Sequence, residues 1–348
     1  MAHDFRPALA TAAIALLWAA SLVAQEPRLD TVPIATVDFY GLRSVPDTVA
    51  RRALGIAPGA PISDSGARAA AVARVESLPG VRHVRLDMVC CAAGGGAMLY
   101  VGVEETGAPS MHFAPAPSGA VRLPAQVIAA GKAFERGFDE AVAHGDFAET
   151  DTGGDALMHW PAAGAAQLRF IELSARYAPE LRDVLHDAAD PAQRALAAQV
   201  LGYVANKATV IADLAGALRD PDETVRNNAA RALWLIALLA QRRPDLGIRV
   251  PYAPLVGMLD SPVWRDRNKA SLALAQLTTS RDPALLARLR ERSLPALIEM
   301  AHWHNLGHAG AALMILGRLA GMSEEAIART LQDGDREPIL RAAERIAP

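Results

Sequence analysis

Cysteine is almost missing from this chain of 348 residues: there are two, Cys90 and Cys91, and they are adjacent. That excludes a CxxC redox pair, a covalent staple between distant segments and a multi-cysteine metal site. Neighbouring Cα atoms lie about 3.8 Å apart, short of the roughly 5.5–6 Å that disulfides prefer. The pair is therefore expected as ordinary strand residues with one side chain inward; a strained or intermolecular bridge is the alternative. Aromatic residues are also scarce, at 5%, which leaves the core to small and aliphatic side chains between closely approaching helices. There is no basic excess: 35 Lys and Arg against 38 Asp and Glu give a net charge of −3, which argues against nucleic acid as the main ligand. No HExxH, GxSxG, Walker or GxGxxG sequence occurs, so the common catalytic and cofactor signatures are missing and no cofactor is expected. What is present is 51% hydrophobic and 21% charged residues, enough for two or three folded domains.

Only one stretch is long and apolar. Arg6 precedes the run Pro7 to Ala24, and Gln25-Glu26-Pro27 follows at once. Charge, apolar core and small residues in that order fit a secretory signal peptide over residues 1–24, cleaved after Ala24. An uncleaved anchor is the competing reading, but the run is alanine-rich and short for a bilayer core of about 30 Å. No cysteine stands at the cut for lipid attachment. The expected location is periplasmic or secreted, with no membrane span after signal removal.

From Ile34 to Tyr40 the residues alternate like a half-buried strand that ends at Gly41. Pro46-Asp47 opens a helix running to Leu54, which Gly55 and Pro58-Gly59 stop. Ser63 and Asp64 cap a second helix, closed by Pro79-Gly80. Strands over Val81–Val89 and Met98–Glu104 come next, joined by a glycine-rich turn. Through VDFYGLRSV, LGIAPGAPIS, ESLPGVRHVRL and LYVGVEE, residues 33–105 resemble a POTRA domain, although Pro79-Gly80-Val81 replaces the family's glycine-aromatic pair. The resemblance implies a small α+β domain that binds peptides by adding a strand to its sheet edge. A plain cap or spacer for its neighbour is the alternative.

Residues 106–124, rich in Pro, Ala, Gly and Ser, read as a linker. A helix over Ala125 to His144 and an acidic stretch, Gly145 to Asp155, occupy 125–164 and lead into the carboxy-terminal half. Asp151-Thr152-Gly153 matches the aspartic-protease triplet, but it neither sits between apolar strands nor recurs. Asp146, Asp151 and Asp155 fit no calcium-loop spacing. A capping and turn loop is the expectation.

Internal repetition is the strongest signal. Four helix starts share one template: Arg194 to Leu201, Arg226 to Leu233, Arg267 to Leu274 and His308 to Ile315. Asp190-Pro191, Asp220-Pro221 and Ser261-Pro262 precede three of them. A second amphipathic helix ends each unit: Val210–Leu218, Tyr252–Leu259, Leu294–Ala301 and Glu324–Leu331. This pattern, clearest from Asp220 to Leu233, resembles the short, bilin-lyase-like form of HEAT repeats. The resemblance implies an all-α solenoid over 165–348 with a face that binds another protein. The recurring Arg is expected to hold the turn before it rather than to bind a ligand.

His304 and His308 stand one helical turn apart in HWHNLGH, but His308 occupies the template's Arg position and no carboxylate or cysteine other than Glu299 is close in sequence. No metal or catalytic residue is expected. HEAT-like hydroxylases use His-Glu dyads, and none occurs here; HEAT-like bilin lyases work in a pigment-containing cytosol, against the export signal. The sequence thus points to an exported protein-binding scaffold, with Arg242, Arg243 and Arg249 of the lengthened turn as candidate partner-binding residues. An accessory role in outer-membrane assembly or secretion, and a HEAT-repeat metal enzyme, are the alternatives. Partner identity and oligomeric state are not legible.

Overall fold

The computed structural model describes residues 33–346 apart from 62–64, 91, 93 and 94. The expected signal peptide and the Ser63-Asp64 cap lie outside the described residues. The amino-terminal module runs β1 (Ile34–Tyr40), α1 (Asp47–Leu54), α2 (Ser65–Glu76), β2 (Val81–Cys90) and β3 (Ala97–Glu105), the order read from the sequence. The sheet order is β1-β3-β2, with β3 parallel to β1 and antiparallel to β2. Val37, Leu99, Val101, Val103 and Val84 face α1 and α2, meeting Leu54, Ala71 and Val75. Each such fully buried aliphatic side chain contributes about 1.5–3 kcal/mol. Gly41 turns the chain after β1 with φ 83°, and a Cβ there would stand 2.0 Å from the Val103 carbonyl oxygen; only glycine fits. Cys90 is disulfide-bonded, which corrects the expectation of a plain thiol; Cys91 lies outside the described residues.

From Ala125 onward the chain is mainly helical. α3 (Ala125–His144), α4 (Pro161–Asp187), α5 (Pro191–Leu201), α7 (Glu223–Arg242), α9 (Trp264–Leu277) and α12 (Leu306–Leu319) pack one on the next as a first layer. Behind them lie α6 (Ile211–Ala217), α8 (Ala253–Met258) and α11 (Leu294–Ala301), with α13 (Glu324–Asp333) and α14 (Glu337–Glu344) at the carboxy-terminal end. An extra helix, α10 (Pro283–Arg292), was not legible in the repeat template. α4 kinks at Tyr177 (φ −120°, ψ 22°), just before Pro179, because proline removes a helical N–H and crowds the preceding turn.

The helix over Ala125–His144, read from the sequence as leading into the solenoid, packs on α4 as its neighbour in the first layer. The acidic stretch is no loop: β4 (Glu149–Thr152) and β5 (Asp155–Met158) pair as a hairpin. Its two-residue turn, Gly153-Gly154, has φ of 66° and 89°, the positive pair that tight hairpins require.

Residues 106–124 are irregular, as a linker should be, yet they do not hang free. Met111 and Leu123 are buried in the solenoid core. The Ala114 N–H donates to the Arg219 carbonyl at 2.7 Å, and Gly119 pairs in parallel with Ala188 through Gly119 N–H to Asp187 O at 2.7 Å and Ala189 N–H to Gly119 O at 2.8 Å. The linker is a strap along two inter-repeat turns.

Candidate protein-interaction faces

The template arginines come first, because they fix where the turns stand. Arg194 Nη1 donates to the carbonyls of Ala188 (2.8 Å) and Ala189 (3.1 Å); Arg226 Nη1 does the same to Asp220 (2.8 Å) and Pro221 (3.0 Å). Each guanidinium then reaches forward to the next repeat. Arg194 meets both oxygens of Asp220 at 2.8 Å, and Arg226 meets Asp266 at 2.8–3.0 Å. In the third turn Ser261 replaces the aspartate, so Asp266 supplies the carboxylate and Ser261 donates to it at 2.7 Å. Burial raises the pKa of Asp266, and Arg226 works against that rise. Arg267 donates to the Ser261 carbonyl (2.7 Å) and to Glu299 (3.1 Å). The arginines hold their turns, as expected from the sequence; Arg194 and Arg226 each tie two repeats, and Arg267 ties the two helices of its own.

The turns are a covered ridge. The sheet face opposite α1 and α2, carrying Asp38, Tyr40, Arg85, Asp87, Met98, Tyr100 and Gly102, lies against the third and fourth turns. The Tyr40 hydroxyl donates to the Pro262 carbonyl at 2.8 Å, and its ring lies 4.6 Å from the Arg267 guanidinium. Gly102 comes so close that a Cβ would sit 1.9 Å from the Pro262 oxygen. Asp87 accepts the Trp264 N–H at 2.8 Å, and Asp38 accepts the His304 N–H at 3.2 Å and faces its Nδ1 at 2.6 Å. Tyr100 stacks on Trp264 at 5.2 Å, and its hydroxyl lies 2.6 Å from His308 Nδ1. Burial, then the Lys269 charge, pushes His308 down to about 4, so the ring is neutral near pH 7. The strap covers the second turn, with Phe113 4.6 Å from the Arg226 guanidinium. His308 thus completes a docking contact where the template has Arg, and His304 is engaged by Asp38. Among the described residues no group of three or more His, Cys, Asp or Glu stands placed for a metal ion.

The outer side of the first layer is the second face. The hairpin lies on it, and its carboxylates meet cations there. Glu149 accepts from Arg231 at 2.6 and 2.7 Å, Asp155 from Lys207 at 2.5 Å, and Asp151 from Arg242 at 2.7 Å. Burial raises the Asp155 pKa against the opposing Lys207 contact. A recess of about 40 Å³ remains where α3, α4, α5, α7 and the hairpin meet, lined by Gln167, Gln199, Tyr203, Asn228 and Arg231 among others; it has room for water only. Further along, Lys269 of α9 is buried, and desolvation with repulsion from Arg231 pushes its ammonium down to about 7.

The candidate arginines separate. Arg242 is the last residue of α7, not part of a turn, and is committed to Asp151. Arg243 pairs locally with Asp245 at 2.6 Å. Arg249 lies exposed on the connection to α8. None of Asp38, Asp87 and Glu149 was singled out from the sequence, although Asp38 and Asp87 share their strand faces with Tyr40 and Arg85, a polar-aromatic pattern that could have marked a docked face.

Residues 178–275 match the family model of HEAT repeats. That segment runs from the second half of α4 through α9. No curated protein matches the chain. Among solved structures, a designed armadillo repeat protein, YIII(Dq)4CqI, is similar over 54% of this chain and 94% of its own, at 17% identity and a TM-score of 0.36. A second design, YIII(Dq.V1)4CPAF in complex with the peptide (KR)4, is similar over 54% and 93%, at 16% identity and a TM-score of 0.35. No helix among the described residues is long and apolar enough to cross a membrane.

Proposed function

We propose that this chain is an exported scaffold that binds partner proteins and performs no catalysis of its own. The observation that carries the reading is the repeat solenoid with its HEAT match over 178–275: stacked repeats build long faces suited to other proteins. With the ridge of turns covered from within, two surfaces are offered. One is the outer side of the first layer from α7 to α12, with the exposed Arg249 on the connection that follows α7. The other is the edge of β2 away from β3, to which no strand among the described residues pairs. Glu76 accepts the Val84 N–H at 3.0 Å, so strand addition there starts beyond Val84, through backbone groups rather than particular side chains. The export claim rests on residues 1–24 of the sequence.

A second reading, an accessory factor in outer-membrane protein assembly or secretion, is favoured by the strand-helix-helix-strand-strand order of residues 34–105, which resembles a POTRA domain. The test is capture of tagged full-length protein from an envelope extract, beside an Arg249→Glu variant with an unchanged melt. A protein recovered in fixed ratio, and reduced by the variant, supports the scaffold. Recovery of no protein in fixed ratio, or substrate turnover by the purified chain, contradicts it.

A further inference from the structure

In an ordinary repeat array each unit touches only its neighbours, so opening is local and stability is a sum of nearest-neighbour contributions. This solenoid departs from that rule. One continuous segment, residues 38–123, bonds to four consecutive turns. Gly119 holds the first at Asp187 and Ala189, and Ala114 holds the second at Arg219. Tyr40 holds the third at Pro262, and Asp38 the fourth at His304. The joint between sheet and strap is short: Thr106 follows β3 directly and its N–H donates to the Gly80 carbonyl at 2.8 Å, while Met111 is already buried in the solenoid core.

From this geometry we infer that residues 38–123 are a splint that makes the four repeats open as one cooperative unit, and that this module fixes the spacing of the turns. Contacts of long sequence separation add to the arginine pairs, which join each turn only to its neighbour, and couple turns further apart. The module is then a conformational brace for the face its partner uses, and an event at the sheet is felt two repeats away. The inference does not depend on what the scaffold binds.

Amide hydrogen exchange on the full chain tests it. The reporters are N–H groups bonded within their own turns: Ala192 in the first, Asp222 in the second and Val263 in the third. Gly102→Ala places a methyl against the Pro262 carbonyl and the Tyr40 ring, and so strains the contact of the sheet with the third turn. Exchange should rise about tenfold at all three reporters together, the mark of one opening unit. Tyr40→Phe, which removes a single hydrogen bond and keeps the ring, should raise all three by a smaller common factor, and it decides the matter if Gly102→Ala does not fold. A rise confined to Val263, or no rise at any reporter, overturns the splint.

Discussion

The Asp87 carboxylate on β2 accepts the backbone N–H of Trp264 at 2.8 Å, so a strand of the amino-terminal sheet caps a helix of the solenoid. The residue at the α9 cap position, Val263, has no side chain able to do so. Asp222, by contrast, caps α7 within its own turn, through the N–H groups of Thr224 and Val225. The third repeat has given up its own cap and takes one from 177 residues away.

Asp87→Ala should therefore destabilise the whole chain by about 1–2 kcal/mol, the range for a lost cap. Asp87→Asn, which keeps an acceptor, should recover most of that loss. Urea melts of the two variants make the comparison. Equal losses would show that the charge toward Arg85, 3.0 Å away, matters more than the cap.

Arg226→Ala removes one partner of a pair in which both side chains are 2% exposed or less. Leaving Asp266 buried without its guanidinium should cost about 3–5 kcal/mol. Phe113 loses its stacking partner too, so the amino-terminal third should loosen with the repeats. Arg242→Ala, at an exposed pair with Asp151, should cost about 1 kcal/mol or less. Chemical denaturation measures both.

Stability should depend on pH in two separate windows. His308 is held near 4 in the fold against 6.5 when free, so between those values only the unfolded chain binds the proton. Stability must then fall as pH falls from about 6.5 to 4. Lys269 is held near 7 against 10.5, so stability should rise as pH rises from about 7 toward 10. Above 10 the buried Tyr40 and Tyr100, whose pKa values burial raises, reverse the trend because only the unfolded chain ionises them. Denaturation midpoints across pH should show both slopes. His308→Gln should remove the acid one and Lys269→Met the alkaline one.

Gly154→Ala tests the hairpin. Its φ is 89°, and a Cβ would stand 3.0 Å from Leu239 and 3.2 Å from Lys207. A loss of about 1–2 kcal/mol is expected from the backbone conformation, read by thermal melt. Gly216→Ala, where a Cβ meets nothing within 4 Å, should be neutral or stabilising because alanine is the better helix former.

Much of this was legible in the sequence. Ile34–Tyr40, Asp47–Leu54, Ala125–His144 and Leu294–Ala301 fall where periodicity, prolines and glycines place them. The template arginines behave as their position after each proline turn implies. The docked sheet was missed, yet it left a trace: β3 is apolar through Leu99, Tyr100, Val101 and Val103 without alternation, the mark of a strand buried on both faces. The hairpin was missed because its carboxylates read as solvated until Arg231, Lys207 and Arg242 are seen opposite them, and those lie 52 to 91 residues away. Arg242 looked free for the same reason.

The most direct measurement is photo-crosslinking from two positions of the full chain in cells that produce it. From Phe113, over the ridge, the account predicts crosslinks within the same chain, to the segment around Arg226. From Arg249, exposed on the connection that follows α7, it predicts an adduct with a second protein. Adducts from Phe113 to other proteins, with none within the chain, would show that the ridge of turns is open and would contradict the account.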